Sequence, residues 1–452
     1  MAGIYKAYDI RGIYPDQINE EVAYGIGRAY ADILREELES KEITIVVGCD
    51  MRISSPQLTK SIIDGITKQG VNVIYIGLSS TPTFYFAVAR YGYDGGMQIS
   101  ASHNPKEYNG VKIVKAKAYP VGYDTGLDEI ERRVNENDFL KCEFIGDVSE
   151  REDVLDEELR VSLKYADPGK IKPLKVVADV ANSMGAPFLD KLFSKLPCKL
   201  VRMNFKLDGS FPVHQADPFQ EKNIVDLKKR VISEGADLGL ATDGDGDRIF
   251  FVDDKGELVD PAIVRGLLAK IVLRENPGAT ICYDIRPGRI TYDMIVENGG
   301  KPVVTRVGHS LIKAQAIDEN AIFAGESSGH FFLDIEYGFF EVPMIIVLKI
   351  LEEISMENRN FSEIIRPLRK YQHSGEINSE VENKEAKMKE LAERYKDAGN
   401  ISWLDGVTIE FDDFWFNVRP SNTEPLLRLN LEAETKDIME QKRDEVLKII
   451  RQ

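Results

Sequence analysis

Residues 43–76 read ITIVVGCDMRISSPQLTKSIIDGITKQGVNVIYI. An apolar, β-branched run (43–47) leads to Asp50. A polar loop (51–56) follows, then an amphipathic stretch through Gly65, then a second apolar run (71–76). Continuous apolar runs suit strands covered on both faces, and a helix between two of them suits a parallel crossover. The spacing predicts a βαβ unit whose first strand ends in an aspartate.

The same unit returns twice further along the chain. The second copy is a strand at 176–178, Asp179, a loop at 180–187, a helix to Leu196 and a strand at 199–203. The third is a strand at 280–283, Asp284, a loop at 285–289, a helix to Glu297 and a strand at 303–307. Copies more than 100 residues apart predict three α/β domains of related fold. From about Tyr371 the pattern changes. A helix (384–395) precedes strands in which Val407, Ile409 and Phe411, and later Leu427, Leu429 and Leu431, alternate with polar residues, and a final helix follows. Such alternation predicts an antiparallel sheet with one solvated face, hence a smaller α+β domain. The charged stretch 380–394 is interrupted by Met388 and Leu391 and reads as a solvated helix face.

At 452 residues the chain has room for three or four domains of ordinary size. Its composition, 43% hydrophobic and 29% charged, is globular. A net charge of −17 repels nucleic acid and anionic lipid, so neither is an expected partner. Any site for an anionic substrate must therefore carry its own local positive charge. Cys49, Cys142, Cys198 and Cys282 have no metal-ligand or redox spacing, which predicts free, mostly buried thiols and a reducing, cytoplasmic setting. No apolar stretch with a cleavage site opens the chain, so no signal peptide is expected, and the apolar run 342–348 is too short to span a bilayer.

Four loops carry chemistry. Ser100-Ala101-Ser102-His103-Asn104-Pro105 follows the apolar stretch 97–99. Small Ala101 is expected to leave the Ser102 hydroxyl accessible, with His103 and Asn104 offering hydrogen bonds; a polar turn has a similar composition. Asp243-Gly244-Asp245-Gly246-Asp247-Arg248 lies between apolar stretches, and the alternating glycines let a tight loop aim three carboxylates at one point. Their mutual repulsion is relieved by a hard divalent cation. An EF-hand requires Gly at its sixth position and Glu at its twelfth, where this chain has Arg248 and Asp254, so that reading fails. Three carboxylates leave coordination positions open for a phosphate, as a catalytic Mg²⁺ requires. Gly325-Glu326-Ser327-Ser328-Gly329-His330 offers groups that bind sugar hydroxyls, and again a turn would look alike. Arg419-Pro420-Ser421-Asn422-Thr423-Glu424-Pro425, with Arg428 beyond, combines two guanidiniums, hydroxyls, an amide and loop N–H groups into a candidate phosphate cradle in an otherwise acidic protein.

Taken in this order, the four loops resemble the α-D-phosphohexomutase superfamily, and within it the phosphomannomutase/phosphoglucomutase branch. The resemblance runs essentially the whole chain, from Lys6-Ala7-Tyr8-Asp9-Ile10-Arg11-Gly12 through Ser80-Thr81-Pro82-Thr83, Asn109-Gly110-Val111-Lys112, Ala216-Asp217-Pro218, Gly308-His309-Ser310 and Tyr337-Gly338 to the last helix. It implies three related α/β domains with mixed sheets and a C-terminal α+β domain, arranged around a central cleft. We place the domains at 1–147, 148–252, 253–367 and 368–452. The resemblance implies that Ser102 is the phosphoserine, and that Asp243, Asp245 and Asp247 bind Mg²⁺ with the Ser102 phosphate as a further ligand. Glu326 and Ser328 would read sugar hydroxyls. Arg419, Ser421, Asn422, Thr423 and Arg428 would grip the phosphate that is not reacting, while Arg11, Lys112, Arg248, His309 and His330 line the reacting centre. Family members often carry Lys where Arg286 stands. A guanidinium does not give up a proton at neutral pH, so Arg286 is expected to bind substrate by charge. Ala181-Asn182-Ser183 replaces a Gly-rich version and reads as structural.

The implied reaction interconverts hexose 1-phosphate and hexose 6-phosphate of glucose or mannose, with a hexose 1,6-bisphosphate as intermediate and activator. Lys112 and His330 are the candidate general bases. Sugar phosphates are the expected partners, acting on a monomer or homodimer. A phosphoglucosamine mutase is the nearest alternative. A serine-nucleophile metallophosphatase would not need the Arg419 loop, and a catalytically inactive sugar-phosphate-binding protein would not need Ser102 and the three aspartates.

Overall fold

The computed structural model describes residues 3–39, 42–397, 399–421 and 426–452. It divides into two compact units, Met1–Val259 with Ser328–Ile364, and Asp260–Ser327 with Ile365–Gln452. Among the described residues no helix is long and apolar enough to cross a membrane.

The first unit contains two mixed sheets. In one, Thr44–Cys49 runs parallel to both Asn72–Leu78 and Gly95–Ile99. Tyr108–Lys115 then adds antiparallel to Gly95–Ile99, and Ile10–Ile13 antiparallel to that. In the other, Lys175–Asp179 runs parallel to Lys199–Met203 and to Leu238–Thr242, and Ile249–Val252 closes the edge antiparallel. A hairpin, Phe331–Ile335 with Gly338–Glu341, completes the unit. In the second unit, Thr280–Asp284 runs parallel to Lys301–Thr305 and Phe323–Gly325. Beside this lies an antiparallel sheet built from the C-terminal strands.

All three sequence-predicted crossovers form, with helices Ser55–Lys68, Gly185–Phe193 and Arg289–Glu297 between their strands. The last strand of the third copy starts two residues earlier than predicted, at Lys301, directly after a turn in which Gly299 takes φ +74°.

One geometry repeats. The strand that ends at or just before the aspartate lies parallel to the strand that feeds a chemical loop. Thr44–Cys49 neighbours Gly95–Ile99 and the Ser102 loop, Lys175–Asp179 neighbours Leu238–Thr242 and the Asp243 loop, and Thr280–Asp284 neighbours Phe323–Gly325 and the Glu326 loop. Loops at the carboxyl ends of parallel strands are where open α/β sheets bind ligands. In each copy the aspartate accepts local donors that tie down the turn. Asp50 takes the Arg52 N–H (2.9 Å) and the Ser55 hydroxyl (2.7 Å), and Asp179 takes the Ala181 N–H (3.0 Å) and the Asn204 amide (2.9 Å). Asp284 takes the N–H (3.2 Å) and hydroxyl (3.0 Å) of Ser327, inside the Glu326 loop itself.

The C-terminal sheet corrects one expectation. Val407, Ile409, Leu427, Leu429 and Leu431 fill its apolar core, as their alternation requires, with Phe411 packed against it. The polar face is also covered: Asn417, Arg419, Asn430 and Glu432 are all buried. Glu432 and Arg419 on this face pair within the second unit. Glu432 Oε2 accepts the Trp415 indole N–H (2.8 Å) and the backbone N–H groups of Gly288 (3.3 Å) and Arg289 (3.1 Å), at the start of helix Arg289–Glu297. A carboxylate at a helix N-terminus meets unpaired N–H groups and the positive end of the dipole. All four cysteines are free, with Cys49 and Cys282 buried and the other two partly so.

Candidate active site

The Ser102 loop leaves strand Gly95–Ile99 and turns at Ser102 itself, whose φ of +49° is left-handed. For a side chain with a Cβ this costs on the order of 1 kcal/mol, so the surroundings must hold it. Arg52 does so. Its guanidinium donates to the carbonyls of Ser102 (2.8 Å), Asn104 (2.7 Å), Pro105 (2.8 Å) and Tyr108 (2.9 Å), and pairs with Asp50 (3.2 Å). Arg11 adds a bond to Asn104 Oδ1 (2.6 Å), and Gln215 one to the His103 carbonyl (2.7 Å). Contrary to the expectation drawn from Ala101, Ser102 is only 1% exposed. Its hydroxyl faces inward and donates to Asp243 Oδ2 at 2.7 Å.

Asp243, Asp245 and Asp247 are buried, with ligand oxygens all within 4.8 Å of one another. The glycines make this possible. A Cβ on Gly244 would stand 2.2 Å from the Ser102 carbonyl oxygen, and Gly246 takes φ +74°. Asp243 Oδ1 accepts the N–H groups of Gly246 (3.1 Å) and Arg248 (3.2 Å). Thr81 fixes Asp245 twice, from its N–H to the carbonyl (2.9 Å) and from its hydroxyl to Oδ2 (2.6 Å). Lys112 Nζ bridges Asp245 (2.7 Å) and Asp247 (2.5 Å). Asp245 Oδ1 is buried without a hydrogen-bond partner among the described residues. Three convergent carboxylates, one with an unused oxygen, beside a serine hydroxyl are a donor set suited to a hard cation such as Mg²⁺.

His330 joins this cluster through a strand-like bridge to Arg248. Its Nε2 lies 3.3 Å from Asp247 Oδ1, and its Nδ1 lies 3.0 Å from the Ser328 hydroxyl. Burial, with repulsion from Asp247 and Asp245, pushes the Asp243 carboxyl well above its ordinary range. Burial acts the same way on Asp247, but Lys112, His330 and Arg248 outweigh it and hold that carboxylate well below. Burial works against the charge on Lys112, yet Asp245, Asp247 and Tyr85 raise its pKa well above the usual value. His103, whose Nδ1 lies 3.3 Å from Ser102 Oγ, is kept neutral by burial and then by the cations Arg248 and Arg11.

The Asp245 support reaches one shell further. Thr81 opens helix Thr81–Tyr91, and Thr83 in its first turn donates to Glu158 Oε2 at 2.6 Å. Burial pushes Glu158 up to about 7, against a lowering by that hydrogen bond. A carboxyl whose folded pKa exceeds its ordinary value stabilises the fold fully below pH 4.5 and progressively less as pH rises to 7. Glu158→Gln keeps the neutral shape. It is expected to match the parent in urea unfolding near pH 4.5 and to exceed it at pH 8 by up to about 3 kcal/mol. Equal stability of the two proteins at pH 8 would show that Glu158 ionises without penalty.

The second unit holds another cluster. Glu326 is buried and accepts the Gly308 N–H (2.8 Å), at the residue before His309 opens helix His309–Asp318. Arg286 Nε pairs with Asp284 Oδ2 (2.5 Å), and Nη2 lies 3.6 Å from Glu326 Oε1. Burial works against the Arg286 charge, but Asp284, Glu326 and Glu376 overcome it and raise its pKa. The fully buried Arg265 braces the loop from behind, through Asp284, the Pro287 carbonyl (2.7 Å) and the Ser327 hydroxyl (3.1 Å). Arg419 and Arg428 sit directly opposite each other on strands Phe414–Pro420 and Leu426–Ala433, and both pair with Glu376. Ser421 is buried, its N–H bonded to the Leu426 carbonyl (2.8 Å) and its carbonyl accepting from Lys384 (2.9 Å). Asn422 and Thr423 lie outside the described residues.

The first unit thus collects Ser102, Asp243, Asp245, Asp247, Lys112, Arg11, Arg248, His330 and Ser328. The second collects Glu326, Arg286, His309, Arg419, Arg428 and Ser421. Ser328, paired in the sequence reading with Glu326, is hydrogen-bonded toward His330 instead. Arg52, Thr81 and Glu376 carried no role in the sequence reading. A faint signal existed for the first, since Asp50-Met51-Arg52 and Asp284-Ile285-Arg286 share an Asp-x-Arg pattern at equivalent strand ends.

Four domain models of one family match the chain: phosphoglucomutase/phosphomannomutase α/β/α domain I at residues 3–141, domain II at 157–256, domain III at 260–371 and the C-terminal domain at 376–449. The chain is 36% identical over 456 residues to a phosphomannomutase of Vibrio cholerae, covering 99% of this chain and 98% of that one. It is 36% identical over 451 residues to a phosphomannomutase of Methanocaldococcus jannaschii, covering 99% and 97%. The crystal structure of a phosphoglucomutase/phosphomannomutase family protein from Burkholderia thailandensis superposes with a TM-score of 0.90 at 30% identity, covering 99% and 97%. With all four domains matched in order and relatives this similar along the full length, the chain belongs to the phosphoglucomutase/phosphomannomutase family of phosphohexomutases.

Proposed function

We propose that this enzyme interconverts the 1- and 6-phosphates of mannose and glucose through phospho-Ser102 and a hexose 1,6-bisphosphate. The observation that carries the reading is the Ser102 hydroxyl held 2.7 Å from Asp243, among three buried carboxylates. The four domains are assigned to 1–147, 148–252, 253–367 and 368–452. The names of the full-length relatives favour mannose phosphates as substrates.

Phosphoryl transfer needs in-line placement and neutralisation of the equatorial oxygens. Mg²⁺, held by Asp243, Asp245, Asp247 and the Ser102 phosphate, supplies part of that neutralising charge when bound. The chain supplies the rest. Lys112, paired with Asp245 and Asp247, and Arg248 add positive charge beside the transferring group. Arg11 and Arg52 hold the Ser102 loop so that its oxygen does not move between half-reactions. The sugar hydroxyl attacks phosphorus as the bond from phosphorus to Ser102 oxygen breaks, and its proton passes to a base. Lys112 and His330 are the two candidates for that base. His330 Nδ1 lies 3.0 Å from the Ser328 hydroxyl and Nε2 faces Asp247, so its ring is held at both nitrogens. Glu326, His309 and Arg286 bind the sugar, and Arg419, Ser421, Asn422, Thr423 and Arg428 hold the phosphate that is not reacting. The return transfer from the reoriented bisphosphate restores phospho-Ser102.

Purified protein with Mg²⁺ and catalytic hexose 1,6-bisphosphate is expected to convert mannose 1-phosphate and glucose 1-phosphate into their 6-phosphates, with almost no inorganic phosphate released. Stoichiometric phosphate release would mark a phosphatase, and absence of turnover a binding protein. Preference for glucosamine 1-phosphate would move the assignment to a phosphoglucosamine mutase.

A further inference from the structure

Arg419 and Arg428 are a directly opposed cross-strand pair, an arrangement that costs stability when both residues carry the same charge. The chain places Glu376 against them. It follows Gly375, which takes φ +67°, and precedes strand Ile377–Glu380. The turn is pinned by the Ser374 N–H on the Leu431 carbonyl (2.8 Å) and the Leu431 N–H on the Ser374 hydroxyl (3.1 Å). One carboxylate oxygen takes Arg419 Nη2 at 2.6 Å, and the other takes Arg428 Nη1 at 3.3 Å. Burial alone would raise the Glu376 pKa; Arg419, Arg286 and Arg428 reverse that and keep it an anion. Two guanidiniums therefore converge on one carboxylate. The Nε atoms of Arg419 and Arg428 are buried without hydrogen-bond partners among the described residues. They are donors that a planar, singly charged carboxylate leaves unused and that a tetrahedral phosphate dianion, with more oxygens and more charge, can use.

We infer that Glu376 is a built-in stand-in for the substrate phosphate, occupying the Arg419–Arg428 pair when no phosphate is there and yielding it when one arrives. This rests on the reading of the Arg419 loop as the holder of the non-reacting phosphate. The stand-in weakens phosphate binding, because the incoming dianion meets a like charge and must displace it. It also eases release. During the turn of the bisphosphate the arginines must let one phosphate go and accept the other, and a carboxylate that recaptures them lowers the cost of the empty state. A merely structural ion pair predicts the reverse, since its loss would splay the arginines and weaken binding.

Glu376→Gln keeps shape and removes the charge. It is expected to bind inorganic phosphate about tenfold more tightly by calorimetry, as for removal of one like charge from beside a dianion. It should also lower both KM for mannose 1-phosphate and kcat. Glu376→Asp, whose shorter carboxylate cannot span both arginines, should fall between the two and serves if the glutamine variant folds poorly. Arg419→Ala, measured alongside, tests the underlying reading and should weaken phosphate binding at least tenfold. If Arg419→Ala weakens binding but both Glu376 variants bind phosphate no better than the parent, the stand-in role is wrong while the phosphate loop stands. If Arg419→Ala changes nothing, both fall.

Discussion

Ser102→Ala is expected to lower mutase turnover by on the order of 10⁴-fold or more, roughly 5.5 kcal/mol in the barrier. A left-handed residue at φ +49°, four carbonyls held by Arg52, and a hydroxyl 2.7 Å from Asp243 define one place where a phosphoryl group can be carried. Ser100 does not offer that place, because its hydroxyl accepts the Ser102 N–H at 2.9 Å and so braces the turn. Without an oxygen at 102 no covalent carrier exists, and a direct transfer between two sugars would need both in one site. Alanine tolerates the backbone nearly as well as serine, so the variant should fold and still bind sugar phosphate. Intact-mass measurement and peptide mapping of the parent should find phosphate on Ser102. An alanine variant that keeps even a tenth of the parent's turnover, or a phosphate mapped to another residue, would end the phosphoserine mechanism.

Removing divalent cation should have a comparably large effect. Exhaustive chelation is expected to lower activity by on the order of 10³-fold, restored by Mg²⁺. Ca²⁺ should bind yet restore little, because its larger and looser coordination misplaces the phosphoryl group. Asp243, Asp245 and Asp247 are all buried, with oxygens within 4.8 Å of one another, and Lys112 offsets only part of their charge. The site is therefore electrostatically costly without a cation, which yields a second readout. Asp243→Asn should be as stable as the parent or more so in chelator, since it removes repulsion, yet should show neither activity nor the rise in melting temperature that Mg²⁺ gives the parent. Full activity after chelation would remove the metal from the mechanism. A parent melting temperature indifferent to Mg²⁺ would remove it from the Asp243 loop.

Glu158 and Glu376 extend this logic away from the reacting atoms. The first is a buried carboxyl with its pKa pushed up to about 7, supporting the helix that holds Asp245, and the second is an anion placed where substrate charge is to come. Neither belongs to a recognisable motif, and each acts through partners far away in the chain.

The three crossover units, the aspartate at the end of each first strand, and the four loops in order are written in the amino-acid pattern. These are legible because they rest on local rules: runs of β-branched residues make covered strands, alternating glycines make a tight acidic turn, and clustered arginines in an acidic chain need an anion. What holds those loops comes from residues distant in the chain. Arg52 reaches Ser102 across 50 residues, Thr81 reaches Asp245 across 164, and Glu376 reaches Arg419 and Arg428 across 43 and 52. Tertiary structure also decided that Lys112 pairs with Asp245 and Asp247, that Ser102 faces inward, and that the polar face of the C-terminal sheet is buried. Alternation reports which residues avoid the apolar core, but not whether water or another polar group meets them on the other side. A lysine's character as base or cation depends on the charges within a few ångströms, and no local pattern in the chain specifies those neighbours.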